Sequence, residues 1–312
     1  MNLKQAAASR PGLYSRATTM LATTLFALVF ASEAAAQANF SKAFAPDTIG
    51  EGGTSALTFT ITASDTATDL EFTDVLPPGL LLATPPSPVL GAGCDPSTAV
   101  SAPSGGDTVS FNSPRLGANT TCTLRVDVTG AAAGNYDNIS GDLISSAGNS
   151  GPAIDTLTID ASRPSFSKLF SSSSVVPGQV IRLSFFFDYS GAGNVFNLSF
   201  TDNLPAGLQV ATAPDATNTC SGAFTPSSGA TSVSFFSGFL TSSTSCELGV
   251  DVEVTGTGTF NNRTTNATSS LGSLGFAVDQ ITSALDPLGL TKSFDDPVAP
   301  GGTTGLEFTL TN

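Results

Sequence analysis

The sequence contains no histidine and no tryptophan, and charged residues make up only 12% of its 312 positions. Without histidine, the chain cannot hold a Ser–His–Asp or Cys–His catalytic arrangement, and it lacks the commonest metal-binding side chain. Nucleotide-binding loops, GxSxG hydrolase motifs and EF-hand loops are also missing. Two carboxylates could hydrolyse a glycoside, but no acidic pair is marked by its spacing. We therefore expect no enzymatic activity and no catalytic residues.

Basic residues are also scarce, with 11 Lys and Arg against 25 Asp and Glu. Three of the basic residues precede an apolar stretch at 20–31 and small residues at 34–36. This order is typical of a signal peptide, which we place at 1–36, and the apolar run is shorter than the ~20 residues of a membrane span. We expect an exported protein, extracellular or at the cell surface, with no membrane span in its mature chain.

Removal of residues 1–36 takes away three basic residues and Glu33. The mature net charge is then 8 − 24 = −16. A surface this acidic repels nucleic acid and anionic lipid, so neither is an expected partner.

The rest of the chain is a repeat. The motif Phe-Thr-Asp-x-Leu-Pro-x-Gly occurs at 72–79 and again at 200–207. A Phe-Ser-Lys-x-Phe motif occurs at 40–44 and 166–170, and a related segment begins at 291. Repeats in one order divide the chain into units of supersecondary structure. We predict a first repeat at 37–162, a second at 163–287 and the start of an incomplete third at 288–312.

Each repeat reads as a series of short strands between Gly, Pro, Ser and Asn clusters. In the first, Leu57, Phe59 and Ile61 alternate with threonines, which places the apolar side chains on one face. Seven or eight such strands in about 125 residues are typical of a β-sandwich. We predict an all-β fold of tandem Ig-like β-sandwich repeats, two complete and a third truncated.

Four cysteines occur, two in each repeat, as Cys94 and Cys122 and as Cys220 and Cys246. In an exported chain, two cysteines per unit predict one disulfide within each repeat. Metal binding is disfavoured, because neither histidine nor a CxxC spacing is present.

The mature chain has three lysines, all at one position of the repeat: Lys42, Lys168 and Lys292. Each complete repeat then supplies an Asp in the turn motif (Asp74 and Asp202) and an Asn near its last strands (Asn138 and Asn262). The order Lys, Asp, Asn resembles that of Gram-positive pilin and adhesin domains that form Lys–Asn isopeptide bonds. The resemblance implies such a bond in each complete repeat. In those domains, a buried neutral amine attacks the amide while a protonated carboxyl polarises it.

Each residue of this set also has a simpler interpretation. A lysine on an edge strand hinders edge-to-edge pairing, an Asp before Leu-Pro caps a turn, and Asn is an ordinary turn residue.

Calcium is a weak possibility for the acidic surplus, since several acidic residues lie in or near predicted loops. These are Asp47, Glu51, Asp65, Asp69 and Asp95. Their spacing is not that of a calcium loop, and solvated surface charge is the simpler explanation of them.

Together, the segment at 40–62, the turn motif at 72–79 and the segments at 122–128 and 134–140 resemble a known family. They are similar to the bacterial DUF11-type repeat and, more narrowly, to the DUF7933-like repeat of large exported proteobacterial proteins. The resemblance covers nearly all of 40–312. It implies secreted or cell-surface β-sandwich arrays without an established enzymatic activity.

The residues and the resemblance agree on a structural role. Stapled sandwiches in series can hold a distal domain away from the cell, so we expect an adhesin-like stalk or spacer. An alternative is a carbohydrate- or glycoprotein-binding module with its site in loops, whose ligand would be a cell-surface or host glycan or protein. A third possibility is that the repeats are spacers for a downstream catalytic domain.

Overall fold

The computed structural model describes residues 36–285 and 289–311. The predicted signal peptide, apart from Ala36, lies outside the described residues. Within those ranges the chain is all-β, and no helix is long and apolar enough to cross a membrane.

The first repeat is a sandwich of two antiparallel sheets. One sheet has the order β1-β3-β9-β5, with β6 also paired to β9. The other has the order β2-β11-β10-β4-β8-β7, in which only β2 and β11 run parallel. The strands are β1 Asn39–Ala45, β2 Thr48–Ile49, β3 Thr54–Ala63, β4 Ala67–Val75, β5 Leu80–Leu82, β6 Val89–Leu90, β7 Ala99–Ser101, β8 Thr108–Leu116, β9 Thr120–Gly130, β10 Gly134–Ser145 and β11 Gly148–Ile159.

The second repeat has the same plan. Its first sheet has the order β12-β14-β20-β16, with β17 also paired to β20; the opposite layer consists of β13-β24-β21 and β18-β19-β15-β22-β23. The strands are β12 Ser165–Phe170, β13 Ser174–Val175, β14 Val180–Tyr189, β15 Val195–Asn203, β16 Leu208–Val210, β17 Thr217–Asn218, β18 Ala223–Phe224, β19 Ser232–Leu240, β20 Thr244–Val254, β21 Gly258–Arg263, β22 Ala267–Ser269, β23 Gly272–Gly275 and β24 Val278–Ser283.

Seven strands in each repeat have six or more residues, and the others are two to four residues long. The alternating pattern predicts long strands such as β3, where Leu57, Phe59 and Ile61 are buried. The short ones form where loops run briefly beside a sheet edge, which side-chain periodicity does not reveal. Phe185, Phe186 and Phe187 break the alternation in sequence, but β14 pairs with β20 without a bulge and Phe186 simply lies half-buried on the outer face.

Each repeat has its own hydrophobic core between its two sheets. The buried cluster of the first draws only on residues 38–159 and that of the second on residues 166–281. Phenylalanines form the centre of both: Phe72 lies 4.8 Å from Phe59 between ring centroids, and Phe200 lies 4.6 Å from Phe185. The residues that follow form a hairpin of β25 Gly289–Phe294 and β26 Leu306–Thr311, whose side chains are all partly or fully exposed.

Candidate functional site

Three polar side chains occupy core positions in each repeat. In the first, Lys42 follows Phe40 on the inward face of β1, and Asp74 follows Phe72 on the inward face of β4. Asn138 lies on β10, beside β4 in the opposite sheet from β1. Strict two-residue alternation therefore places an amine, a carboxyl and an amide where apolar side chains belong. We call these three residues the first triad.

The carboxyl of Asp74 bridges the other two members of the first triad. Lys42 Nζ donates to Asp74 Oδ1 at 3.0 Å, and Asn138 Nδ2 donates to Asp74 Oδ2 at 2.8 Å. The amine of Lys42 thus reaches across the core from one sheet to the other. The amide of Asn138 approaches from β10, which lies beside β4. Lys42 lies on an edge strand, as the simpler interpretation requires, but its side chain points inward and is fully buried.

The second triad repeats this arrangement. Lys168 Nζ on β12 lies 3.3 Å from both carboxylate oxygens of Asp202 on β15. Asn262 Nδ2 on β21 donates to Asp202 Oδ2 at 2.9 Å. In each repeat, the structure therefore brings together the Lys, Asp and Asn that the sequence groups as one set.

Burial shapes the protonation of the two lysines. The side chains of both lysines and both aspartates are inaccessible to solvent. Desolvation lowers the pKa of Lys42, opposed by the charge of Asp74. It also lowers the pKa of Lys168, to about 8, opposed by Asp202. Both amines therefore lose their proton more readily than a lysine in water.

The amide oxygens of the triads have no hydrogen-bond partner. Asn138 Oδ1 and Asn262 Oδ1 are both buried and unpaired. A buried acceptor without a donor costs about 1–3 kcal/mol, so unpaired acceptors are rare in folded proteins. The same unpaired atom at the same position of both repeats marks a shared property of the site.

A second acidic residue supports each triad, and the sequence analysis missed it. Asp155 on β11, opposite Asn138 in the ladder, accepts the backbone N–H of Phe44 at 2.7 Å. Asp279 on β24 accepts that of Phe170 at 2.7 Å in the second repeat. These bonds join the lysine-bearing strand to the opposite sheet. Their signal in the sequence is an Asp at the same repeat position in both copies.

Lys292 occupies the corresponding position on β25. It lies opposite Phe308 in its ladder, as Lys42 lies opposite Phe59 and Lys168 opposite Phe185. Unlike them, it is exposed. The position alone therefore does not make the site, which also needs the acid and the amide of the second sheet.

The cysteines form one disulfide within each repeat, Cys94–Cys122 and Cys220–Cys246. Both bonds tie a loop to the long strand that carries the second cysteine, β9 in one repeat and β20 in the other.

The acidic residues considered for calcium do not come together. Among residues 36–285 and 289–311, no three His, Cys, Asp or Glu side chains are placed to hold a metal ion. Several of these residues instead accept local hydrogen bonds: Asp95 accepts the N–H of Ser97 at 2.8 Å, and Glu51 accepts that of Ala133 at 3.1 Å.

An ion pair between a buried aspartate and a partly exposed arginine joins the two repeats. Asp127 on β9 is fully buried, and its Oδ2 lies 3.3 Å from Nε of Arg263 on β21. Arg125 lies 3.7 Å from the other oxygen. The Arg263 guanidinium also stacks 3.3 Å from the ring centroid of Phe276. We call the ion pair between Asp127 and Arg263 the junction. No motif in the sequence indicates it.

Backbone contacts reinforce the junction. The N–H of Phe276 donates to the carbonyl of Thr54 at 3.0 Å, forming an antiparallel bridge between the repeats. Gly275 permits this approach, because it has φ +91° and a Cβ there would lie 2.6 Å from the Thr54 carbonyl oxygen. Arg163, in the short segment between β11 and β12, donates to the Ser273 carbonyl at 2.7 Å.

Burial raises the pKa of Asp127 to about 6, although Arg263 and Arg125 both lower it. The pKa of Arg263 is lowered by burial as well. Both shifts have the same cause, since each charge has left water for the space between two sandwiches.

Open grooves lie outside the triads. One, of about 510 Å³, lies on the second sheet of the first repeat and is lined by polar and apolar residues that include Glu71, Asn112 and Asp142. A second, of about 610 Å³, lies beside the junction, between Glu51 and Asp188.

Several solved structures align with most of this chain at low similarity. The type II cohesin dyad of the ScaA scaffoldin from Acetivibrio cellulolyticus is 8% identical, with a TM-score of 0.34, over 80% of this chain and 99% of the other. The collagen adhesin of S. aureus is 9% identical, with a TM-score of 0.28, over 89% and 95%. The MSCRAMM ACE of Enterococcus faecalis is 13% identical, with a TM-score of 0.32, over 81% and 96%. TM-scores this low carry no functional argument.

Comparison with curated proteins gives no match. The model of one protein family, described as a domain of unknown function (DUF7933), matches residues 38–159 and again residues 164–283. These matches confirm the narrower resemblance, while the wider likeness to DUF11-type repeats stays a prediction. The chain belongs to the DUF7933 family and contains two copies of its domain.

Proposed function

We propose that this protein is an exported, non-enzymatic spacer of the cell surface, in which tandem sandwiches hold a fixed orientation. The observation that carries the proposal is the junction. Relative motion is the usual behaviour of two domains of one chain, so a fixed orientation requires specific contacts between them. Here, Asp127 is fully buried against a partly exposed Arg263 of the other repeat, and a backbone bridge joins Thr54 to Phe276.

Several further features support this role. Each repeat has a separate core and an internal disulfide, as expected for independent units in an oxidising compartment outside the cell. The acidic composition discourages adhesion of the spacer to an anionic cell surface. A spacer of this kind would also serve a binding or catalytic domain elsewhere in a longer protein.

Small-angle X-ray scattering of the mature chain tests the spacer. The wild-type chain should scatter as one body with a single maximum dimension. Arg263→Ala should broaden the distribution of dimensions, because Asp127 loses its partner across the junction. A suitable control is Arg182→Ala, which breaks a pair of the same kind within the second repeat, where Arg182 lies 3.1 Å from Asp251. A wild-type chain that is as flexible as Arg263→Ala would contradict the spacer.

A carbohydrate- or glycoprotein-binding module is the second candidate, supported by the groove that Glu71, Asn112 and Asp142 line. Carboxylates and amides bind sugar hydroxyl groups, and Val100 and Ile144 add apolar surface there. Glycan-array and cell-adhesion assays on the mature chain distinguish the two. Saturable binding that Asn112→Ala abolishes would favour the module, and its absence would favour the spacer.

A further inference from the structure

The geometry points to a covalent isopeptide bond between Lys42 and Asn138, and an equivalent bond between Lys168 and Asn262, each formed by the chain itself. The proposal rests on the two triads and is independent of the spacer. In each triad an amine and a carboxamide meet on one buried carboxyl group, which is the set of groups that an amide-forming reaction requires.

The triads hold the reacting groups close together. In the first, the amine and the amide bind the two oxygens of a single carboxyl at 3.0 and 2.8 Å. In the second, Lys168 lies equidistant from both Asp202 oxygens, one of which also accepts Asn262 Nδ2. Fixing two reactants side by side replaces a collision with an intramolecular step, which accelerates such reactions by many orders of magnitude.

The site also favours the protonation states that the reaction requires, a neutral amine and a protonated carboxyl. A neutral amine is the nucleophile, and transfer of one proton from Lys42 to Asp74 converts a buried ion pair into two neutral groups. A dry interior favours this neutral form relative to water, because it penalises charge. The lowered pKa of both lysines has the same cause.

The unpaired amide oxygens fit this protonated form. With an ionised carboxylate, the amide presents Nδ2 to it and leaves Oδ1 of Asn138 or Asn262 without a donor. A protonated carboxyl can donate instead, so half a turn of the amide would give Oδ1 a partner. That hydrogen bond also polarises the carbonyl and makes Cγ more electrophilic.

The reaction balances without a co-reactant. The lysine nitrogen attacks Cγ of the asparagine, and the carboxyl proton passes to the carbonyl oxygen. The amine then transfers a proton to the departing nitrogen, the carbonyl re-forms as the carboxyl recovers its proton, and ammonia leaves. One C–N bond forms and one breaks, and nothing is oxidised or reduced. Asp74 and Asp202 are the catalytic residues, each used once.

The bond would join the two sheets of each sandwich. It links the first long strand of a repeat to a strand of the opposite layer, between residues 138 − 42 = 96 positions apart in the first repeat and 262 − 168 = 94 in the second. Lys292 is the internal control, because it is exposed.

Mass spectrometry of the exported, disulfide-reduced chain tests the proposal. A protease digest should contain the Lys42 peptide joined to the Asn138 peptide and the Lys168 peptide joined to the Asn262 peptide, each pair lighter by one ammonia. An N-terminal Gln37 can also lose ammonia by cyclising, so intact masses are compared between variants. After correction for the substitution, Asp74→Asn should retain one more ammonia than wild type, and Asp74→Asn with Asp202→Asn two more.

Lys292→Met should leave both joined peptides unchanged. If an Asp→Asn variant does not fold, the wild-type digest still decides the question. A folded wild-type chain that yields the Lys42 and Asn138 peptides separately, and likewise the Lys168 and Asn262 peptides, overturns the proposal and leaves two permanent ion pairs.

Discussion

Buried charge is the feature that recurs among individual residues of this protein. A charged side chain in a core is costly unless partners compensate it. Lys42 and Lys168 are compensated within one sandwich, whereas Asp127 depends on Arg263 of the next repeat. Each triad is therefore complete within one repeat, whereas the junction requires two neighbouring repeats.

The raised pKa of Asp127 gives a pH dependence with a definite sign. A carboxyl whose folded pKa exceeds its unfolded pKa stabilises the fold fully below the unfolded value, here about 3.8, and this contribution is lost as the pH rises through about 6. The difference between a pKa of 3.8 and one of about 6 corresponds to about 3 kcal/mol. Stability of the first repeat should therefore fall between pH 4 and pH 7 on account of this group.

Urea unfolding of Asp127→Asn tests this dependence, because the variant should lose most of that fall. Tyr136 fluorescence follows the first repeat alone in a Tyr189→Phe background, since these are the two tyrosines of the mature chain. A pH dependence unchanged by Asp127→Asn would contradict the assignment.

At the level of residues, the sequence singles out candidate site residues where the repeat itself supplies a comparison. The lysines, aspartates and asparagines of the triads stand out because both copies carry them at the same place. The junction has no such mark: Ile139 occupies the position in the first repeat that Arg263 has in the second. A contact between non-equivalent residues appears only once two folded units meet.

Among the elements, β9 and β20 carry the most constraints, since each holds a disulfide and pairs with several strands. Replacing Cys94 and Cys122 by alanine should destabilise the first repeat by about 3–4 kcal/mol, because the unfolded chain loses a closed loop. Tyr136 fluorescence during urea unfolding measures the change. The same replacement of Cys220 and Cys246 should affect this transition much less, and an equal effect would contradict separate cores.

The β23 strand tests the backbone part of the junction. Gly275→Ala should remove the protection of the Phe276 amide from hydrogen exchange, because the added Cβ collides with the Thr54 carbonyl. Gly193→Ala is the matched control: its φ is +97° and no atom lies within 4 Å of the added Cβ, so it reports backbone strain alone. Retained protection of Phe276 in Gly275→Ala would show that the bridge does not depend on this glycine.

Element by element, alternation of apolar and polar residues predicts long strands such as β3, β9 and β20. It predicts neither the short strands nor the division of β10 and β11 into two pieces each in the second repeat, as β21 with β22 and β23 with β24. Those features depend on how loops pack against sheet edges, which is a tertiary effect.

At the scale of the whole molecule, two sandwiches of one family meet at the junction, which we propose fixes their relation. The sequence predicts the repeats and their internal disulfides, because both are periodic along the chain. It does not predict the relation between repeats, which depends on Arg263, Phe276 and Gly275 of one unit meeting Asp127 and Thr54 of the other.

Nitrogen-15 relaxation of the backbone amides in the mature chain tests this fixed relation most directly. The account predicts that both repeats report one rotational correlation time, that of a single body. Two shorter and independent correlation times, each typical of one sandwich, would contradict it.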